Sequence, residues 1–132
     1  MADDIELIKE TLNHFFDSLD NCCGNSLKLA FDKSGTIHTF DPDEDRIIQD
    51  LALNGWPEDI EKNKNNPEYF FNKEKSKKRI VFVDITEDVA SAKVEWIFPS
   101  LTFTDYYHLI KAKGKWVIVD KIWNTKSNMK DQ

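Results

Sequence analysis

The stretch DYYHLIKAKGKWVIVDKIW, residues 105 to 123, places bulky apolar or aromatic side chains on both faces of what reads as a β-hairpin. A two-residue turn at Lys113 and Gly114 sets Ala112 opposite Lys115 and fixes every pair behind it. In that register one face carries Phe103, Asp105, Tyr107, Leu109, Trp116, Ile118, Asp120 and Ile122, and the other Thr104, Tyr106, His108, Ile110, Val117, Val119, Lys121 and Trp123. A sheet with one face in water alternates apolar with polar residues. Neither face does so here, and each therefore requires a cover.

The rest of the chain supplies one of the two covers. DDIELIKETLNHFFDSLD opens with Asp3 and Glu6 spaced as in a capping box, then repeats Ile5, Ile8, Leu12, Phe15, Phe16 and Leu19 as one helical stripe. NSLKLAFDK reads as a second short helix, capped by Asn25 or Ser26, and SGTIHTF as a first strand. DPDEDRIIQDLALNG reads as a third helix: Asp41 caps, Pro42 takes the first position, acids fill the first turn and Gly55 ends it. WPEDIEKN and NPEYFFNK add single turns.

After residue 78 the period changes to two. KRIVFVDIT, DVASAKVEWIF, TFTDYYHLIKAK and GKWVIVDKIW read as a four-strand antiparallel meander. Helices first and strands afterwards predict an α+β domain over residues 1–125, followed by a polar tail over 126–132.

Composition excludes several classes of function. The net charge of −6 is unevenly placed: four basic against fourteen acidic residues over 1–60, seven against three over 61–79, and seven against seven over 80–132. An acidic body repels phosphate backbones, so nucleic acid is not an expected partner. The basic loop 61–79 carries Tyr69, Phe70 and Phe71 and reads either as a patch for an anionic partner or as a solvated loop whose aromatics enter the core.

No apolar run approaches the roughly 20 residues of a membrane helix, and MADDIELIKE lacks the basic start and apolar block of a signal peptide. Adjacent Cys22 and Cys23 suit a reducing compartment, and the expected location is the cytoplasm. Glycine-rich phosphate loops, zinc-protease and nucleophile-elbow patterns are absent, so no cofactor, metal or catalytic set is predicted.

HFFDSLDN, LAFDKSGTIHTF and RIVFVDITEDVASAKVEWIFPSLTFTDYYHLIKAKGKWVIVDKIW together resemble the nuclear transport factor 2-like superfamily. The similarity is strongest to its putative lumazine-binding branch, related to the polyketide cyclase-like and ketosteroid isomerase-like proteins. The resemblance implies a cystatin-like cone, with helices closing over a strongly curved antiparallel sheet, an interior pocket and frequent dimers. Isomerases of this fold place an acidic base just after the first strand; the matching stretch GTIHTF offers Thr39 beside His38.

The expected function is an uncharacterised small-molecule-binding or accessory protein. Its pocket is lined by Trp96, Phe103, Asp105, Tyr107 and Asp120, and takes a small, largely apolar ligand. The sheet-face homodimer is expected through Ile97, Tyr106, His108, Ile110, Val119 and Trp123. Two alternatives stand beside this reading. One is a cofactor-independent isomerase or dehydratase with Asp105 or Asp120 as acid or base and Tyr107 as electrophile; the other is an interaction module using loop 61–79.

Overall fold

In a computed structural model, which describes residues 3–128, the chain runs α1 (Asp4–Asp20), α2 (Gly24–Ala30), β1 (Phe31–Asp41), β2 (Arg46–Leu51), α3 (Trp56–Lys62), α4 (Phe70–Lys73), β3 (Lys77–Thr86), β4 (Val89–Ile97), β5 (Leu101–Ala112) and β6 (Lys115–Ser127). The Asp3 carboxylate accepts from the Glu6 amide at 2.9 Å and starts α1. Ile8, Leu12, Phe15, Phe16 and Leu19 are buried as the stripe requires, while Ile5, one turn earlier, is exposed. The second helix begins at Gly24 with Cys23 as its cap, and no side chain caps it. Ser26 instead donates its hydroxyl to Asp17 at 2.5 Å, which holds that carboxyl below its ordinary range.

Residues 42–55 depart from the expected helix. Arg46–Leu51 is the edge strand β2, paired antiparallel with β1 from Asp41↔Arg46 to Thr36↔Leu51. Asp41 accepts from the Asp43 amide in a turn, and Asp45 takes a positive φ of 51° that a helix interior forbids. Proline and acids favour a helix start locally, but the free edge of β1 offers a ladder of hydrogen bonds to Arg46–Leu51.

The sheet has six strands in the order β2-β1-β6-β5-β4-β3. Strands β3 to β6 form the expected meander, and Lys113 and Gly114 make the turn with φ of 52° and 78°. Strand β1 lies parallel to β6, so the sheet is mixed rather than wholly antiparallel. Close approach of the two strands requires Gly35, where a Cβ would stand 2.9 Å from Asp32 O and 3.1 Å from Ile118 O.

One irregularity in β6 changes what the sheet presents. The pairing Ala112↔Lys115 continues to Leu109↔Ile118, then jumps to His108↔Asp120, leaving Val119 as an extra residue. Beyond it Tyr107 faces Lys121 and Asp105 faces Trp123 across the ladder. A one-residue slip turns every later side chain to the opposite face. Asp120 and Ile122, expected inside, therefore point outward, and Lys121 and Trp123, expected outside, point in.

The core lies between α1 and the inner face of the sheet. Phe15 sits at its centre, with ring centroids 5.7 Å from Phe31 and Trp96, 5.8 Å from Trp56 and 5.9 Å from Tyr107. The aromatics of loop 61–79 enter the core, as one of the two readings required: Phe70 meets Phe98 at 4.8 Å and Phe71 meets Trp96 at 6.2 Å. Its Lys73, Lys75 and Lys77 stay in solvent. Of the tail expected over 126–132, Lys126 and Ser127 extend β6, Asn128 donates to Phe98 O at 2.7 Å, and 129–132 lie outside the described residues.

Two outcomes follow from this packing. Phe15→Ala removes a ring that touches four others and costs about 3–5 kcal/mol of unfolding free energy, read from urea titrations followed by circular dichroism. Burial raises the Tyr69 hydroxyl to about 12, with the charges of Cys22 and Asp59 adding, and holds Tyr107 well above its usual value. Below about pH 10 these hydroxyls are neutral in both states; as pH rises further the unfolded chain releases its protons first. Stability thus falls from about pH 10 upward, with the tyrosinate absorbance of Tyr69 and Tyr107 appearing only as the fold opens.

Candidate functional site

A cavity of about 610 Å³ opens between the sheet and the helices, bounded by α1, α3 and the inner faces of β1, β2, β4, β5 and β6. Its walls are mainly aromatic and aliphatic: Phe15, Ile37, Trp56, Phe71, Trp96 and Phe103. Leu51, Asn54, Gly55 and Asp59 stand among the remaining lining groups, on β2, on the loop after it and on α3. The edge hairpin β1–β2 thus supplies part of the wall where the sequence suggested a covering helix.

Among the residues expected in a pocket, Trp96, Phe103 and Asp105 line this cavity. Tyr107 lies beneath it, completely buried, with its hydroxyl donating to Asp105 Oδ2 at 2.6 Å. Asp120 does not belong to it. The bulge at Val119 turns Asp120 to the outer face, where it accepts from His38 Nδ1 and faces His108 Nδ1, each at 3.1 Å, with Thr36 Oγ1 at 3.3 Å.

Trp123, expected at the outer face, is corrected by the same slip. It lines the cavity, with its ring 5.8 Å from that of Phe103. Ile122 takes its place outside, 46% exposed. Ile97, Tyr106, His108 and Ile110 are exposed on the outer face, and Val119 is half-buried at the bulge.

Lys121 is the residue that sequence reasoning missed. Its side chain points inward and is 6% exposed, with Nζ 3.8 Å from Asp105 Oδ1. Three rings surround that nitrogen, their centroids at 5.0 Å for Phe15, 5.6 Å for Trp123 and 5.8 Å for Trp56. Burial lowers the Lys121 pKa, and the Asp105 charge opposes that shift without reversing it. Nothing local marks the slip: Val117, Ile118 and Val119 are all β-branched, and no glycine announces a bulge.

A second polar group is buried nearby. The Trp96 indole Nε1–H lies close enough to Tyr107 to favour its ionised form, but among the described residues it meets no acceptor within full hydrogen-bond geometry. Buried donors of this kind are rare. The Thr39 hydroxyl, at the position where isomerases of this fold carry a base, donates to Trp123 O at 2.7 Å and has no proton-accepting role.

These contacts decide which chemistry the site can host. The Tyr107 hydroxyl is committed to Asp105 and is not presented to the cavity, so the pairing of a free tyrosine with an acid is not assembled. Asp105 beside Lys121 is what the floor offers: an acid next to an amine beneath an apolar chamber. Among the described residues no group of three His, Cys, Asp or Glu could hold a metal ion, and no helix is long and apolar enough to cross a membrane.

Comparison with known proteins agrees with this architecture. An NTF2-like protein of unknown function from Shewanella baltica OS155 superposes with a TM-score of 0.73, at 25% identity over 96% of this chain and 98% of its own. One from Methylobacillus flagellatus KT gives 0.71, at 28% identity over 96% and 94%. A Nostoc punctiforme protein of unknown function with a cystatin-like fold gives 0.74 at 13% identity, over 98% and 96%, and shows the fold alone. No curated protein sequence matches the chain. The family described as putative lumazine-binding matches residues 3–124, and the chain belongs to that family within the NTF2-like superfamily.

Proposed function

We propose that the protein is a homodimeric small-molecule-binding protein whose interior cavity takes a small, largely apolar ligand. The observation that carries this reading is the cavity itself, walled by aromatic rings and floored by the Asp105–Lys121 pair and the Trp96 indole. Apolar walls with a few convergent polar groups are the usual form of a ligand site. Burying a charged pair without ligand contacts is costly and adds little stability, which favours a binding role over a structural one.

The outer face of the sheet is the dimerisation surface. Phe40, Tyr106, Ile110 and Ile122 are each between 41% and 47% exposed there, and Ile47 is 72% exposed beside them. These side chains share one face of the sheet, with Asp120 and its two histidines among them, and suit a second copy packed face to face about a two-fold axis. The interaction-module reading loses its main support, because Tyr69, Phe70 and Phe71 pack inward. The two free cysteines support a reducing location, the cytoplasm.

Two measurements test this reading. Apolar aromatic ligands change the emission of Trp56 and Trp123, and Ile48→Trp, which crowds the cavity from β2, weakens their binding by about tenfold or more, equivalent to about 1.4 kcal/mol; unchanged affinity in the variant excludes the cavity as the site. Light scattering gives a dimer at micromolar concentration and a monomer for Ile110→Glu, since its cross-strand neighbours Val89 and Val117 offer a buried charge no partner. A monomeric parent protein removes the dimer from the proposal.

A further inference from the structure

We propose that Lys121 is a reactive amine that captures the carbonyl group of an aldehyde or ketone ligand as a reversible imine. This rests on reading the cavity as a small-molecule site and adds the chemical class of its ligand. Four observations carry it.

First, Lys121 is built into the site rather than caught there by chance. The Val119 bulge turns it inward, opposite Tyr107, onto the face covered by α1. Without the extra residue this side chain faces outward, where a lysine is readily solvated.

Second, among the described residues the three N–H groups of an ammonium here find no hydrogen-bond acceptor at ordinary length. The charged neighbour, Asp105 Oδ1, stands at 3.8 Å, beyond hydrogen-bond length. The surrounding rings of Phe15, Trp123 and Trp56 favour a cation only weakly at 5.0, 5.6 and 5.8 Å. Removal from water works against the charged form, and burial is the largest influence on this amine. The outcome is a lysine that gives up its proton more readily than an exposed one, the condition for a nucleophilic amine.

Third, proton-handling groups are in place. Closing the 3.8 Å gap to hydrogen-bond length lets the Asp105 carboxylate take the ammonium proton, leaving a neutral amine beside a carboxylic acid. The amine nitrogen attacks the carbonyl carbon, forming the C–N bond as the C=O electrons move to oxygen. A proton passes from nitrogen to that oxygen and gives a carbinolamine. The Asp105 acid then protonates the hydroxyl, water leaves, and the nitrogen lone pair forms the C=N bond. The product is a protonated imine beside a restored Asp105 carboxylate, one water being released per carbonyl consumed. Tyr107, donating to Asp105 Oδ2 at 2.6 Å, leaves Oδ1 turned toward Lys121 and acts as a positioning residue.

Fourth, the chamber above the amine suits the remainder of such a ligand. Trp56, Trp96, Phe103 and Trp123 line it and give an apolar, aromatic surround for the body of such a ligand. The other titratable groups lining the cavity are His38, Asp50 and Asp59, and neither Asp50 nor Asp59 is in contact with Lys121.

The experiment uses the full chain with naphthaldehyde and its alcohol, naphthylmethanol, as a matched pair. With sodium cyanoborohydride at neutral pH, the imine is reduced to a stable amine and located by peptide mass spectrometry. The expected result is modification of Lys121 about tenfold or more faster than of the exposed lysines, as a lowered amine pKa requires. It is lost in Lys121→Met, whose fold is checked by circular dichroism.

Asp105→Asn removes both the acid that expels water and the charge that favours the ammonium, so the maximal labelling rate of Lys121 falls while its pH midpoint moves lower than in the parent. An unchanged pH profile overturns the role given to Asp105. Label confined to exposed lysines while naphthylmethanol still changes tryptophan emission overturns the imine and leaves the cavity reading standing. Failure of both compounds to bind overturns the two together.

Discussion

A single extra residue in β6, Val119, decides which side chains the inner face of the sheet presents. Before the bulge the hairpin follows strict alternation from its two-residue turn, and Trp116, Ile118, Leu109 and Tyr107 enter the core as alternation requires. After it the phase is reversed. The parallel partner β1 locks the new phase, because Thr36↔Asp120, Ile37↔Lys121 and His38↔Ile122 are its neighbours on the other edge. The interior charge pair, the aromatic ring of Trp123 and the histidine–aspartate contacts outside all depend on that reversal.

The two faces are consequently unlike in chemistry although both are rich in large side chains. On the inner face, α1 covers the sheet with Phe15 in contact with four aromatic rings, and the edge hairpin leaves a chamber between sheet and helices. The chamber floor holds a carboxylate, an amine and an indole N–H in place of the hydrocarbon that would fill it most stably. Replacing buried ion pairs by apolar groups is often neutral or favourable, so persistence of such a pair under a cavity is better explained by what enters the cavity than by stability. On the outer face, Tyr106, Ile110 and Ile122 surround Asp120, which His38 and His108 contact from two strands.

Much of the architecture was legible in the order of residues. The stripe of α1, its Asp3 cap, the four-strand meander and the Lys113–Gly114 turn each follow from local chemistry that no neighbour overrides. Residues 42–55 were illegible for a different reason. Proline, acids and paired isoleucines satisfy the rules for a helix start, and the segment becomes a strand because the exposed edge of β1 supplies hydrogen bonds from residues far from any helix signal. Within the site, Trp96, Phe103 and Asp105 lie before the slip and keep the face that alternation predicts, whereas Asp120 and Trp123 lie after it and exchange faces.

The sequence by itself determined that helices precede strands, that the last hairpin turns at Lys113 and Gly114, and that both faces of the sheet carry large apolar side chains, because these follow from periodicity and turn chemistry within a few residues. Only the tertiary structure decided that Lys121 rather than Asp120 shares the cavity with Asp105. A strand repeats every two residues, so one unpaired residue, admitted where β6 must match β5 on one side and β1 on the other, is enough to reverse every side chain beyond it.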